Sequence, residues 1–189
     1  MPGRLNVAAG DPVDPHLVRA WLAARSRSRG LPAPVADHGG WRVDSGEAEE
    51  RRRYLFPEPG EGLRALGAAI DEPFVALKLC RPGAELVALL PPRWRLASDN
   101  VMMVCDAPPV PTRLPPGFRL ALEADGPVTR ARIVAADGAL AAGGHAVEQD
   151  GIFIVDRIRT EPEFQRRGLG TALMHALHLA ADMSEQTMK

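Results

Sequence analysis

Alternating apolar and polar positions predict a four-stranded antiparallel meander in the second half of the chain. Apolar or alternating runs of strand length cover residues 118–123, 128–135, 140–147 and 152–160. Asp-Gly pairs at 125–126, 137–138 and 150–151 separate these runs. Asp-Gly between two such runs favours a hairpin, because both central residues of a type I′ turn need positive φ. The last run is apolar on both faces at its start, which predicts an inner strand covered on both sides.

A helical pattern follows this meander. Apolar residues recur at helical spacing at Leu169, Leu173, Leu177 and Ala180. The spacing predicts an amphipathic helix from about Gly168 to Met183, with its apolar face on the meander.

The first half of the chain mixes helices and strands without a recognisable motif or a repeat of the second half. Asp14-Pro15 predicts a helix start, since an N-cap residue precedes Pro at the first helical position, and this helix should end before Gly30. Strands are predicted at 41–44, 51–56, 74–80 and 101–105, and short helices at 63–70 and 84–90.

A proline-rich stretch separates the two halves. It holds five prolines within residues 108–116, and proline suits neither a helix interior nor an inner strand. We therefore predict an α/β (α+β) protein with an accessory mixed α/β domain at 1–106, an extended linker at 107–116 and a second domain at 117–189.

Composition and charge exclude some classes of partner. The net charge of −1 gives no global field toward nucleic acid or an anionic membrane. We find no apolar run of signal-peptide or membrane-spanning length, and expect a cytoplasmic protein with no membrane partner. Cys80 and Cys105 lack metal-ligand spacing and are expected to be buried and reduced. The strong preference for Arg over Lys indicates a high-GC, bacterial genome.

The run from Asp156 to Leu173 carries the chemistry. A predicted strand leads into a glycine-rich, doubly basic helix start, and unpaired N–H groups and the positive end of the helix dipole bind anions there. The sequence Gln165-Arg166-Arg167-Gly168-Leu169-Gly170 resembles the coenzyme A signature of the GNAT acetyltransferase superfamily. In that signature, Arg or Gln precedes Gly-x-Gly or Gly-x-Ala by three positions.

This resemblance implies a GNAT-like, mostly antiparallel sheet with flanking helices. It also implies an N-acetyltransferase that uses acetyl-CoA, without a metal, to acetylate a primary amine of a small-molecule or peptide acceptor by direct transfer. Backbone groups at the end of the preceding strand, from Ile158, Arg159 and Thr160, would pair with the pantetheine arm. The pyrophosphate would be bound by Gln165, Arg166, Arg167, Gly168, Leu169, Gly170 and Thr171.

The general base follows less directly from the resemblance. The position where many family members carry a catalytic Glu is occupied by Ile154, which cannot accept a proton. Asp156 projects from the same face of the strand, because side chains repeat every two residues, and is our candidate. Glu148, His145 and a water-relayed base are alternatives. Asp156 could instead form a salt bridge to Arg157 or Arg159, or a hydrogen bond to the backbone.

Two features depart from the family pattern. Asp125-Gly126-Pro127 joins the first two strands directly, where family members have one or two helices that shape the acceptor site. Residues 1–106 would then form the amine-binding wall. The chain also stops 19 residues after Gly170, before the family's fifth strand and the Tyr that often acts as general acid. We therefore expect a C-terminally incomplete GNAT domain, and the alternative function is a non-catalytic acyl-CoA-binding or interaction module.

Other readings of the motifs are weaker. A dinucleotide fingerprint would need Gly where the chain has Leu173. His175 and His178 lack a carboxylate partner for a metal and are expected to lie on the solvated helix surface. The arginines at 25, 27, 29 and 51–53 could contact nucleic acid or the 3′-phosphate of coenzyme A, but are expected to be solvated surface. The identity of the acceptor and the oligomeric state, including a homodimer, are open.

Overall fold

The computed structural model describes residues 12–187 except 106 and 108, with side chains described as far as residue 180. The chain divides into two compact units. The first comprises Met1–Ser26 and Gly30–Asp106, and the second comprises Arg27–Arg29 and Ala107–Lys189. The described part of the proline-rich stretch forms neither helix nor strand.

The first unit is built on a four-stranded sheet in the order β1-β2-β3-β4. Its elements are α1 (Pro15–Ser28), β1 (Val35–Asp37), β2 (Gly40–Glu47), β3 (Glu50–Phe56), α2 (Glu61–Ala69), β4 (Val75–Leu79) and α3 (Gly83–Leu89). The last two residues of α1 belong to the second unit. The first three strands are antiparallel, and β4 runs parallel to β3 because α2 carries the chain back across the sheet. Each helix and strand predicted up to residue 90 is present, and β1 is an additional strand.

The start of α1 follows from its sequence. Asp14 acts as the N-cap, since its Oδ1 accepts a hydrogen bond of 2.8 Å from the N–H of His16. Val18 and Leu22 on the apolar face of α1 pack with Val43 and Leu55 of the sheet. A second cluster, on α2 and the other face of the sheet, centres on Tyr54, Phe56, Leu63, Leu66 and Leu77.

The predicted strand at 101–105 is wrong. Residues 101–105 form neither helix nor strand, and the side chains of Val101 and Met103 are 86% and 90% exposed. An apolar run of strand length becomes a strand only where a sheet edge pairs with its backbone, and no strand of the described residues forms a ladder with this run.

The second unit contains the predicted meander. Its strands are β5 (Phe118–Asp125), β6 (Val128–Ala135), β7 (Leu140–Gln149) and β8 (Ile152–Thr160), all antiparallel to their neighbours and in the order β5-β6-β7-β8. A short 3₁₀ turn at Pro162–Phe164 and α4 (Leu169–Thr187) follow. The predicted mixed, mostly antiparallel fold is confirmed.

The three Asp-Gly turns differ in geometry. Both central residues have positive φ only at Asp150-Gly151, with 54° and 76°. In the turn between β5 and β6 the closing pair is Asp125 and Val128, so Gly126 and not Asp125 takes the positive φ, of 57°. The hairpin prediction therefore holds for each turn, while the type I′ geometry holds for one.

One face of the second sheet packs against α4. Leu169, Leu173 and Leu177, none of them more than 1% exposed, contact a cluster that includes Ile133 and Ala146. On the other face Val128, Val147 and Ile154 lie side by side across three strands and are all buried. The meander is therefore apolar on both faces along its centre, which agrees with the pattern of β8.

Candidate active site

A β-bulge interrupts β8 midway along its length. In the register of β7 and β8, Gly144 alone faces two residues, Arg157 and Ile158. Arg157 has a φ of 55°, which few side-chain-bearing residues adopt. Bulges bend a strand and redirect its backbone groups, and they are enriched beside active sites. The bulge includes Ile158, the first of the three residues for which we predict contact with a pantetheine arm.

The outer edge of β8 is open. β8 is the last strand in the order of its sheet, so among the described residues no strand pairs with its outer edge. Ile158 and Arg159 are exposed there, and Thr160 is half-buried. An extended ligand can add to such an edge through main-chain hydrogen bonds.

The glycine loop turns the chain sharply into α4. Arg166 and Gly168 have φ values of 62° and 78°, and the left-handed conformation at Gly168 is one that glycine adopts without strain. The first hydrogen bond of α4 runs from the Ala172 N–H to the Gly168 carbonyl, at 3.1 Å. The N–H groups of residues 169–171 therefore precede the helical ladder and are aimed out of the N-terminus.

Backbone and side chains leave room above this helix start. A Cβ added to Gly170 would have the Thr160 hydroxyl as its nearest neighbour, at an ordinary distance of 3.6 Å. Arg166, Arg167 and Gly168 are all exposed. An anion can approach these N–H groups from solvent.

Neighbouring side chains hold the loop in shape. The guanidinium of Arg167 stands 5.6 Å from the ring centre of Phe164 and donates to the Glu163 carbonyl at 3.2 Å. The Gln165 side-chain amide donates to the Thr160 carbonyl at 3.2 Å. The loop that carries the two arginines is thus fastened to the end of β8.

Asp156 is the acceptor in a three-bond network. The Arg29 guanidinium donates from Nε to Oδ2 at 2.6 Å and from NH2 to Oδ1 at 2.7 Å. The Ser28 hydroxyl donates to Oδ2 at 2.8 Å. The side chains of Arg29 and Asp156 are only 18% and 12% exposed, so the ion pair is largely removed from water. The partner of Asp156 in this ion pair is Arg29 rather than Arg157 or Arg159. The catalytic role that we assign to Asp156 from the sequence stays a prediction.

His145 lies beside this network. It is directly opposite Asp156 in the register of β7 and β8, and its Nδ1 is 3.1 Å from the carbonyl oxygen of Ser28. Ile154, at the position of the family's catalytic Glu, is buried and 8% exposed.

Sequence reasoning missed Ser28, and its expectation that Arg29 is solvated surface is wrong, since the Arg29 side chain is only 18% exposed and is paired with Asp156. Ser28 and Arg29 lie 128 and 127 residues before Asp156 in the chain, and nothing in the local pattern around either residue links them to β8. The bulge was also missed, since no glycine or proline in β8 marks it.

The comparisons with known proteins give one structural match. No protein-family model and no curated protein matches this sequence. A solved structure, a GCN5-related N-acetyltransferase from Kribbella flavida, superposes with a TM-score of 0.55 over 90% of this chain and 81% of its own. The sequences are 16% identical in that match.

The chain has a GNAT-like fold. At 90% coverage the match takes in residues of both units. The GNAT-like fold that the resemblance in residues 165–170 implies is therefore confirmed.

The described residues can also be compared with the requirements of a metal site, a membrane span and a reactive thiol. The described residues contain no group of three or more His, Cys, Asp or Glu side chains that could hold a metal ion. Within the same residues, no helix has the length and apolar character needed to cross a membrane.

The two cysteines differ in their surroundings. Burial raises the pKa of the Cys80 thiol to about 11, and the nearby Glu58 carboxylate raises it further. Cys105 is in no disulfide and is exposed, not buried as expected.

The arginine run at 51–53 is largely paired within the first unit. Arg52 donates to Asp44 at 2.7 Å, and this hydrogen bond lowers the pKa of the Asp44 carboxyl. Arg53 is buried and forms an ion pair with Glu50. The expectation of solvated surface is therefore wrong for Arg53, which is 3% exposed. The expectation that these arginines bind no nucleic acid stays a prediction.

Proposed function

We propose that this chain is an N-acetyltransferase that transfers the acetyl group of acetyl-CoA directly to a primary amine. The observation that carries the proposal is the arrangement of the β8 bulge, the loop at Gly168 and the start of α4. It joins unpaired N–H groups, the positive end of a 19-residue helix and two exposed arginines. These are the groups that bind a pyrophosphate.

The pyrophosphate, the pantetheine arm and the thioester of acetyl-CoA each have a counterpart in this proposal. The pyrophosphate binds the N–H groups of residues 166–171, with Arg166 and Arg167 adding positive charge. The Gln165 N–H already donates to the Pro162 carbonyl at 3.3 Å. The pantetheine arm pairs with the open edge of β8 at Ile158–Thr160. Acetyl-CoA supplies the acetyl group as a thioester. The protein orients the amine toward the thioester carbonyl, so that the new C–N bond forms as the C–S bond breaks, and the thiolate takes up a proton.

The first unit contains a related element that we do not propose as a site. There, β3 also leads through a Glu-Pro sequence and a glycine into a helix, α2. A Cβ on Gly62 in the first turn of α2 would lie 1.9 Å from the His38 carbonyl oxygen, so that carbonyl lies against the helix start. Glu61 adds negative charge in the same turn. We therefore expect one coenzyme A per chain.

A second candidate, a non-catalytic acyl-CoA-binding module, is favoured by the environment of the catalytic position. Ile154 cannot accept a proton, and Asp156 is engaged by Arg29 and Ser28. Such a module would bind coenzyme A through the same loop without turnover.

Acetylation assays distinguish the two functions. Acetyl-CoA is incubated with the full chain and a panel of a polyamine, an aminoglycoside, free amino acids, a lysine peptide and a peptide with a free N-terminus. Acetylated product is detected by mass spectrometry. Acetylation of one class of amine supports the N-acetyltransferase if it is lost when Arg166 and Arg167 are both replaced by Ala. The control is Arg64→Ala, at an exposed arginine on α2, and this variant should keep the activity. Coenzyme A binding without any product supports the module, and no binding at all contradicts both.

A further inference from the structure

We infer that His145 is the general base of the proposed transfer, and that Asp156 is a positioning residue for it; this inference rests on the proposed function. An acceptor amine is protonated near neutral pH and must lose a proton before it can attack the thioester. The base needs a lone pair that is not already used and a position near the redirected backbone of β8.

Asp156 does not meet the first requirement. Its two oxygens accept three hydrogen bonds, two of them from the Arg29 guanidinium. Bidentate pairing with arginine stabilises the ionised carboxylate strongly. A proton on Asp156 would remove the charge that holds Arg29, in a site where both side chains are more than four-fifths buried.

His145 meets both requirements. A backbone carbonyl can only accept a hydrogen bond, so Nδ1, 3.1 Å from the Ser28 oxygen, must be the donor. The neutral ring then has its lone pair on Nε2. Nε2 has no hydrogen-bond partner among the described residues. The ring is half-buried and remains in contact with solvent.

The two residues act through Ser28. Asp156 accepts from the Ser28 hydroxyl and from Arg29, and the Ser28 carbonyl accepts from His145. The carboxylate therefore holds in place the residue that fixes the histidine tautomer. A catalytic base that is itself oriented by a further group is a recurring arrangement in enzymes.

The charges that face His145 come from three elements. Arg130 lies directly opposite it on β6 and is paired with Asp125 at 2.6 Å. Asp156 lies opposite it on β8, with Arg29 of the segment 27–29. Both guanidiniums are thus matched by a carboxylate.

The proton balance is simple. Nε2 accepts one proton from the ammonium group, the free amine attacks the carbonyl carbon, the C–N bond forms and the C–S bond breaks. The protonated imidazole then returns a proton to the thiolate or to solvent, which regenerates the neutral ring.

Kinetics and tautomer assignment test the inference on the full chain. With the amine that the acetylation panel identifies, His145→Gln should lower kcat by about 10²-fold to 10⁴-fold and remove the acid limb of the pH profile. The affinity for coenzyme A, measured by calorimetry, should stay within about threefold of that of the unmodified chain. Added imidazole should restore part of the activity of His145→Ala. The control, His16→Gln on an exposed histidine of α1, should change none of these.

Long-range ¹H–¹⁵N spectra of the free protein give a readout that needs no acceptor. The neutral ring of His145 should be protonated at Nδ1, and in Asp156→Asn this tautomer preference should weaken. An Nε2-protonated ring, or full turnover with an unchanged pH profile in His145→Gln, overturns the inference while leaving the proposed function standing. If the unmodified protein did not bind coenzyme A, the result would instead contradict the proposed function.

Discussion

Removal of the Asp156 carboxylate should destabilise the second unit more than removal of any exposed ion pair. The pair with Arg29 is bidentate, with 2.6 and 2.7 Å contacts, and its side chains are 12% and 18% exposed. Breaking a buried pair costs about 3–5 kcal/mol, whereas an exposed pair contributes about 0.2–1 kcal/mol. We place Asp156→Ala near the lower end of the buried range, at about 3 kcal/mol, because the pair retains some contact with water.

A double-mutant cycle tests this reasoning. Arg29→Ala should also cost about 3 kcal/mol, but the double variant should cost far less than the sum, with a coupling of about 2 kcal/mol or more. Urea unfolding followed by circular dichroism measures each value. The control is Arg132→Ala, which removes an ion pair to Glu123. The two side chains of this pair are 64% and 66% exposed, so the free energy of unfolding should fall by about 0.5 kcal/mol or less. A cost under about 1 kcal/mol for Asp156→Ala, or additive single costs, would refute the buried network.

Three further predictions concern the thiols, the helix and the loop. A thiol reagent at pH 8 should label Cys105 quickly and Cys80 only on unfolding, since at a pKa of about 11 about 10⁻³ of Cys80 is thiolate; fast double labelling of folded protein contradicts this. Leu173→Ala, at a fully buried site, should cost about 2–5 kcal/mol in urea unfolding, and a cost under about 1 kcal/mol would show that α4 does not pack on the sheet. Gly168→Ala, at φ 78°, should cost about 1–2 kcal/mol, while Gly170→Ala should cost less than half as much; equal costs would contradict the loop geometry.

The sequence was most informative where structure depends on local pattern. Alternation and Asp-Gly pairs located β5 to β8 to within a few residues, because a hairpin is specified by neighbours in the chain. The glycine loop was recognised for the same reason, since consecutive residues 165–170 create the helix start.

Long-range features were not predictable in this way. The pairing of Asp156 with Arg29 joins residues 127 positions apart, and the bulge at Arg157 depends on how β8 fits against β7. The apolar run at 101–105 had the composition of a strand but no sheet edge to join. The assignment of a base therefore needed the fold, because it depends on which side chain keeps a lone pair once all partners are in place.

Calorimetric titration of the full chain with coenzyme A tests the central claim most directly. The account predicts one site per chain, at least tenfold weaker when Arg166 and Arg167 are both replaced by Ala, since a charge-assisted hydrogen bond contributes about 1.5–3 kcal/mol. Arg64→Ala should bind as the unmodified chain does. Absence of binding to the unmodified chain, or equal affinity in the double variant, would contradict the claim that the start of α4 binds the pyrophosphate.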